Sequence, residues 1–481
     1  MRVADWKELP RGMRGAAWLA GALVAMFWIS RLWTYFRNVK YLGGLIGLQI
    51  ILASLWHFET VFFPLLMGCF LLAGMHLGFV GIATTARWVL LAVAALAGFI
   101  LWMRAQKHSY SSFHLIAVFC VIAAITSAAV SSEPKIALLK ALSLFLLFTY
   151  AATGARIAIR GREIQFVKSL LLGCEVLAFA SAFAYAIGEP IWGNPNSLGA
   201  VMGVAVIPFL LWGVLIAESR MQRNRRIIAL ILVGILLYNS LSRAGMLAAT
   251  VAVLTLLIAL RQQRLLLKGA FVVFIFVCLA AVVRPDHFQE FLDSVTSNVL
   301  HKGRDEAVFS SRKSPWEQTI SAIRQHPWFG SGFGTSDMEF VEQATEVRKN
   351  ASNLKTQAGS NREHGNSYLA LAEYMGMIGL IPFGILLFLI GRMIVQVVLY
   401  LARTGNPYHC AVPLAAVLLA GLVHVFFEDW LLAVGYYLSV FFWLAAFWLV
   451  DLRPAPALAP GRTGERQQRH IAAPGQPVAT R

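Results

Sequence analysis

Runs of roughly twenty apolar residues, the length an α-helix needs to cross a bilayer, follow one another along most of this chain. Fourteen can be marked off, near 14–33, 40–57, 60–81, 86–104, 112–131, 135–157, 165–188, 197–217, 226–240, 244–260, 267–283, 369–400, 411–428 and 431–450. Several are short, and the pairs near 40–81 and 226–260 have the lengths of tilted or re-entrant segments. The expectation is an all-α polytopic membrane protein with about 12–14 transmembrane helices and one large, partly helical outer-face loop. A water-soluble globule of 481 residues has no interior for a chain that is 58% hydrophobic and only 14% charged, against about 25% charged residues in soluble domains. A disordered chain needs the opposite composition.

A net charge of +17 invites a nucleic-acid reading, but its distribution speaks for topology. With the N-terminus in the cytoplasm, Lys and Arg gather in alternate connections, as the positive-inside rule requires. These are Arg2 to Arg14, Arg104 and Lys107, Arg156 to Arg162, Arg220 to Arg226, Arg261 and Arg264, Arg403, and a tail from Arg453 to Arg481. Residues 31–40, with Arg31, Arg37 and Lys40, depart from this pattern. The basic N-terminal stretch lacks a convincing small-residue cleavage site and reads as the flank of a retained first helix. Both termini are expected in the cytoplasm. Nucleic acid is not an expected partner, whereas membrane lipids are.

The long polar segment 284–367 then lies outside, between an N-terminal bundle (1–283) and C-terminal helices (368–452), with a disordered tail at 453–481. Its ten basic and eleven acidic residues leave it at −1, and the rest of the chain carries +18. Trp316, Ile320, Ile323 and Trp328 predict a helix over 314–326, with Pro315 in its first turn. Gly330 to Gly334 (GSGFG) read as a tight turn, 336–348 as a second helix, and 349–362 as mobile. All five cysteines fall in or beside apolar runs, none in this loop, so they read as small packing residues.

Five constellations fall on the same outer face. Arg243, in Tyr238-Asn239-Ser240-Leu241-Ser242-Arg243-Ala244-Gly245, is either a snorkelling arginine or the partner of an anion that it grips in bidentate fashion. Arg312 and Lys313, in Phe309 to Trp316, are either a solvated pair or, with a helix N-terminus, an anion site. His364 beside Glu363 has the chemistry of a base for a hydroxyl, or is a solvated loop residue. Asn196 lies in the turn Gly193 to Gly199 (GNPNSLG), read as a structural cap or a glycan contact. His424 and Glu428 sit four apart, on one face of a helix if it continues. They orient a hydroxyl or bridge helices, and without a third ligand they make no metal site.

Three features together resemble the O-antigen ligase and polymerase superfamily of bacterial membrane glycosyltransferases. They are the NPNSLG turn, the SRAG segment, and the loop running SSRKSPW, HPWFGSGFG and HGNSYLALAEYMGMIGLIPF over residues 190–400. The ending HVFFEDWLLAVGYYLSVFFWL is similar to the exopolysaccharide-polymerase-like branch. The resemblance implies transfer of a glycan from a polyprenyl diphosphate carrier, at the outer face of the inner membrane, onto a glycan or lipid A-core acceptor. It implies no metal, cofactor or nucleotide sugar. It puts Arg243 and Arg312 on the diphosphate, His364 or Glu363 as base, and Asn196, Asn366, His424 and Glu428 near the glycan. The His-Asn-x-x-Leu pattern of ligases is interrupted here by Gly365. A transporter or translocase of lipid-linked glycans is the alternative, and it predicts broken helices with charge at the bilayer midplane.

Overall fold

The structure is a computed structural model. It describes residues 40–75, 80–104, 110–262, 264, 310–336 and 362–454. The expected spans at 14–33 and 267–283, the second loop helix, the 349–361 stretch and the tail from 455 lie outside the described residues.

The described chain is helical, with no strand beyond an isolated bridge between Met75 and Trp192. In order, the helices are α1 (Lys40–Trp56), α2 (Phe63–Ala73), α3 (Val80–Arg104), α4 (Ser112–Ala129), α5 (Pro134–Ala152), α6 (Gly154–Ile159) and α7 (Glu163–Ala186). Then come α8 (Pro195–Val201), α9 (Ile207–Leu215), α10 (Arg220–Asn239), α11 (Arg243–Ala259), α12 (Ser310–Gln325), α13 (Ser367–Thr404), α14 (Ala411–His424) and α15 (Tyr437–Leu452). One-turn π segments join α1 to α2 at Phe58–Phe62 and α8 to α9 at Met202–Val206. Among the described residues, six helical stretches are long and apolar enough to cross a membrane: Val80–Arg104, Ser112–Ala129, Pro134–Ile159, Glu163–Ala186, Pro195–Leu215 and Ser367–Thr404. The protein is an all-α polytopic membrane protein.

α15 is the central post. Its sequence, YLSVFFWLAAFWLVDL, is apolar all round, which is the pattern of a helix buried on every side. Trp443, Phe447 and Trp448 are wholly inaccessible. α14, α5, α6, α2 and α13 pack against it, while α3, α4 and α5 turn Phe99, Phe119, Ile122, Leu139 and Phe145 outward, the side chains that face lipid in a bilayer.

Charges inside the bundle are paired, as the cost of an unpaired ion in lipid demands. Arg156 grips Asp451 with two hydrogen bonds of 2.5 and 2.6 Å, lies 3.0 Å from His114 Nε2, and stacks over Trp102. Glu175 is buried in α7 between Arg225 at 2.6 Å and Arg226 at 2.8 Å. Some of the basic residues that mark orientation in the sequence therefore also tie helices together.

The starts of α8, α11, α13 and α15 and the ends of α4 and α14 meet at one end of the bundle. α8 and α11 touch through glycine. Gly199 and Gly203, four apart, receive Gly245, so the backbones approach as in small-xxx-small packing. A methyl group added at Gly203 would lie 2.8 Å from the Gly245 carbonyl carbon. The NPNSLG and SRAG motifs, 40 to 50 residues apart in sequence, are thus one helix crossing.

Candidate functional site

α12 begins at Ser310, four residues earlier than its apolar spacing predicts. Pro315 is therefore inside the helix rather than in its first turn, and Arg312 and Lys313 are helical residues rather than a loop ahead of it. Both lie in the first turn of the helix, among the N–H groups that have no partner within it. What positions Arg312 is the other wall of the site. Its Nη1 donates to the Gly365 carbonyl at 2.9 Å and its Nη2 to Glu428 Oε1 at 2.8 Å. Both side chains of the pair are 21% exposed. Lys313 is far more open and reaches only Glu317, at 3.9 Å.

Gly365 gives its interruption of the ligase pattern a physical reason. Its φ is +63°, a conformation that costs an L-residue about 1–2 kcal/mol. A Cβ there would also sit 2.7 Å from Arg312 Nη1. The residue turns the chain so that its carbonyl meets the guanidinium and leaves no room for a side chain.

Just ahead of Gly365, two residues enter the interior. Arg362 pairs with Glu373 of α13, with side chains 1% and 0% exposed, and also donates to Thr319 Oγ1 at 3.0 Å. His364 is fully buried, with Nε2 3.2 Å from Glu373 Oε2 and Nδ1 3.1 Å from Asp429 Oδ2. The same Asp429 oxygen accepts the His364 backbone N–H at 3.0 Å. Burial by itself lowers the His364 pKa, but the hydrogen bonds and charges of Asp429 and Glu373 outweigh it, and the net shift is upward. Burial pushes Asp429 up, and the bonds from His364 pull it below its ordinary value. Burial and two neighbouring carboxylates, Glu363 and Asp429, outweigh Arg312 and raise Glu428. This is a set of alternating charges, Arg362–Glu373–His364–Asp429, with Arg312–Glu428 at its open edge.

The segment that carries Glu428 and Asp429 is irregular. The apolar pattern predicts helix to 428 and again from 431, but α14 stops at His424 and α15 starts at Tyr437. The carbonyls that would continue α14 are taken elsewhere. Ser367 N–H bonds Val425 O at 2.8 Å, Ser367 Oγ bonds Glu428 O at 2.6 Å, and Tyr368 Oη bonds Leu422 O at 2.8 Å. His424 and Glu428 are therefore not neighbours on one helix face. His424 is buried and accepts the Trp430 indole N–H at 2.9 Å, while Glu428 faces Arg312.

A kink fixes α13 beneath the site. Gly376, at φ 56° and ψ −155°, breaks the helical ladder. The HPWFGSGFG segment pairs with the freed groups: Ser331 N–H with Glu373 O, Gly332 N–H with Tyr374 O, Met377 N–H with Pro327 O and Ile378 N–H with Trp328 O, at 2.8–3.2 Å. Ser131 Oγ to Thr335 Oγ1 (2.8 Å) and Lys140 to Gly334 O tie the same turn to α4 and α5.

The other expected residues are distributed as follows. Glu363 is exposed, near Glu428 but not bonded to His364 in the structure. Asn366 is buried, and its Oδ1 caps α13 by accepting from Tyr368 and Leu369 N–H at 2.8 and 3.2 Å. Arg243 opens α11 behind the Ser242 cap, half-buried, and Asn196 lies in the first turn of α8. A tyrosine pair lies between the two groups: Tyr437 Oη is 3.5 Å from Ser197 O and 3.1 Å from Tyr436 Oη, and Tyr436 is within electrostatic reach of Glu428. The residues that sequence reasoning missed as site members are Glu373, Asp429 and Arg362. Glu373 alone had a signal, a carboxylate inside a membrane-length apolar run.

Such a charge network, set where broken helices and a loop meet at one end of a polytopic bundle, marks an integral membrane protein with a buried polar cluster at that end. Residues 228–384, about a third of the chain, match the family model described as O-antigen ligase, and this match supports the resemblance to the O-antigen ligase and polymerase superfamily. It runs from α10 to just past the Gly376 kink, so it takes in Arg243, Arg312, Arg362, His364 and Glu373 and stops short of Glu428 and Asp429. No curated protein matches the chain. The family's activity is glycan transfer of the ligase or polymerase type.

Proposed function

We propose that this protein transfers a glycan from a polyprenyl diphosphate carrier to an acceptor sugar at the outer face of the bacterial inner membrane, as an O-antigen or exopolysaccharide polymerase or as a ligase. The observation that carries the reading is Arg312. It is a half-open guanidinium held by one backbone carbonyl and one carboxylate at the rim of a buried acid–base network. A diphosphate leaving group needs little more than fixed positive charge at its departing oxygens, the largest contribution in many enzymes. Arginine supplies this charge in a planar fork that matches phosphate oxygens. Arg243, at the same end of the bundle, is the second diphosphate ligand in this reading. Exposed apolar faces of the neighbouring helices give the carrier tail a lipid path. His364, locked between Asp429 and Glu373, belongs to the reaction centre and keeps Asp429, and with it the Glu428 segment, in place. Glu363, exposed beside it, and Asn196 face the acceptor, while the buried Asn366 and His424 hold the ends of α13 and α14 that frame the site.

The test is Arg243→Ala, Arg312→Ala and His364→Ala in a strain lacking the native gene, scored by polysaccharide ladders at matched expression. Loss of the ladder in all three is expected. Wild-type chain-length distributions in all three would refute the assignment. The deletion strain separates the two activities: lipid A-core bearing one repeat unit marks a lost polymerase, and accumulated carrier-linked chains mark a lost ligase.

A further inference from the structure

We propose that Glu428 is the base that takes the acceptor hydroxyl proton, and that Arg312 holds it out of action until the donor diphosphate displaces it. This rests on the glycan-transfer reading above. The Glu428 carboxylate sits on Arg312 at 2.8 Å, where an oxygen of a bound diphosphate would sit. It is a built-in mimic of the ligand. The second guanidinium bond, to the Gly365 carbonyl at 2.9 Å, does not involve Glu428, so Arg312 stays aimed when the carboxylate leaves.

Three observations favour Glu428 over His364. His364 is fully buried with both ring nitrogens facing carboxylates, so it has no path to a sugar hydroxyl. Glu428 is partly exposed at the open edge of the network. Its backbone is pinned, with Glu428 O accepting from Ser367 Oγ at 2.6 Å and Leu431 N–H donating to the same hydroxyl at 3.2 Å, while its carboxylate is held by Arg312. An anchored main chain with a releasable side chain is what a substrate-displaced base requires.

The groups facing it are Arg312 on α12, Glu363 ahead of α13, Asp429 on its own segment and Tyr436 at the start of α15. Burial and the two carboxylates already raise Glu428, and Arg312 is the opposing influence. When Arg312 turns to a diphosphate, that opposition weakens and a further negative charge arrives. The carboxylate becomes a stronger base just as the donor seats. In the step itself, the acceptor O–H proton passes to Glu428. The oxygen bonds to the anomeric carbon, and the bond from that carbon to the diphosphate oxygen breaks, its electron pair leaving with the polyprenyl diphosphate. The proton leaves Glu428 to solvent as Arg312 recaptures the carboxylate.

The experiment uses full-length protein in nanodiscs, with carrier-linked oligosaccharide extracted from the deletion strain for turnover and farnesyl diphosphate for binding. Glu428→Gln is expected to lose about 10²–10⁴-fold in kcat, the usual contribution of one base, and to lose the acidic limb of the pH profile. It is also expected to bind farnesyl diphosphate about two- to fivefold more tightly, the worth of a competing, partly exposed ion pair. A kcat within threefold of wild type, or weakened binding, overturns the proposal. If Glu428→Gln does not fold, Glu428→Asp carries the test: its shorter reach to Arg312 should move the acidic limb upward, and an unmoved limb overturns it. Wild-type protein that makes no glycosidic bond refutes the glycan-transfer reading, and the base role falls with it. Wild-type turnover that Glu428→Gln retains refutes the base role alone.

Discussion

Glu373→Leu is the most demanding test of the network. The side chains of Arg362, Glu373 and His364 are 1%, 0% and 0% exposed, so no water replaces a lost partner. Removing one member of a buried pair costs about 3–5 kcal/mol, chiefly because the other charge is stranded. Arg362 keeps Thr319 Oγ1 at 3.0 Å and Pro315 O at 3.4 Å, neutral acceptors that put the expected cost near the lower end. Arg362→Met alone leaves Glu373 with His364 and should cost somewhat less. The double variant removes both charges of the pair, leaves His364 with Asp429, and loses neutral bonds worth roughly 1–2 kcal/mol by the usual worth of such bonds. The singles therefore sum to far more than the double, with a coupling of a few kcal/mol. SDS-driven unfolding in mixed micelles measures all three. Costs that add to within about 0.5 kcal/mol, as independent sites do, would refute a coupled buried pair.

Three further expectations follow from the geometry. Gly203→Ala should overpack the α8–α11 crossing, costing about 1–3 kcal/mol and displacing Arg243, so thermal stability and ladder length fall together, while Gly173→Ala, with open space at its Cβ, leaves both unchanged. Gly376→Ala places an L-residue at φ 56°, ψ −155° and sets a methyl 2.5 Å from the Trp328 carbonyl carbon. The expected strain is about 1–3 kcal/mol, and limited proteolysis should cut faster within residues 327–336. The His364–Asp429 pair gives a pH signature. Because the folded pKa of His364 lies above 6.5, its contribution is complete below pH 6.5 and is lost as pH rises through the folded value. Because that of Asp429 lies below 3.8, its contribution is complete above pH 3.8 and is lost as pH falls through the folded value. The thermal midpoint, wild type minus Asp429→Asn, should therefore be greatest between those limits and shrink on either side. A difference that is flat from pH 4 to 9 would count against the pair.

The helices were legible because apolar spans state their own length. The expected limits of α4, α7, α8 with α9, α11 and α13 agree with the structure to within a few residues. α12 was legible from its Trp and Ile spacing, except for its start, since no apolar residue marks the turn from Ser310. The end of α14 was not legible. HVFFEDW reads as helix, and only Ser367 and Tyr368, more than fifty residues earlier, compete for the carbonyls that would continue it. Arg312 and His364 were legible as candidates from their motifs and Glu373 only as a carboxylate inside an apolar run, but the role of Asp429 was not, because an ion pair leaves no local trace when its members lie on different segments.

The sequence by itself determined that this chain is a bundle of membrane helices with motifs that resemble those of the O-antigen ligase superfamily, because hydrophobic length and short motifs are local properties. Only the tertiary structure decided who faces whom. It set Gly199 and Gly203 against Gly245, sealed His364 between two carboxylates, and put Glu428 on Arg312. Those pairings depend on helix crossings, on a kink at Gly376 and on hydrogen bonds borrowed between distant segments, so they exist only once the chain has closed on itself.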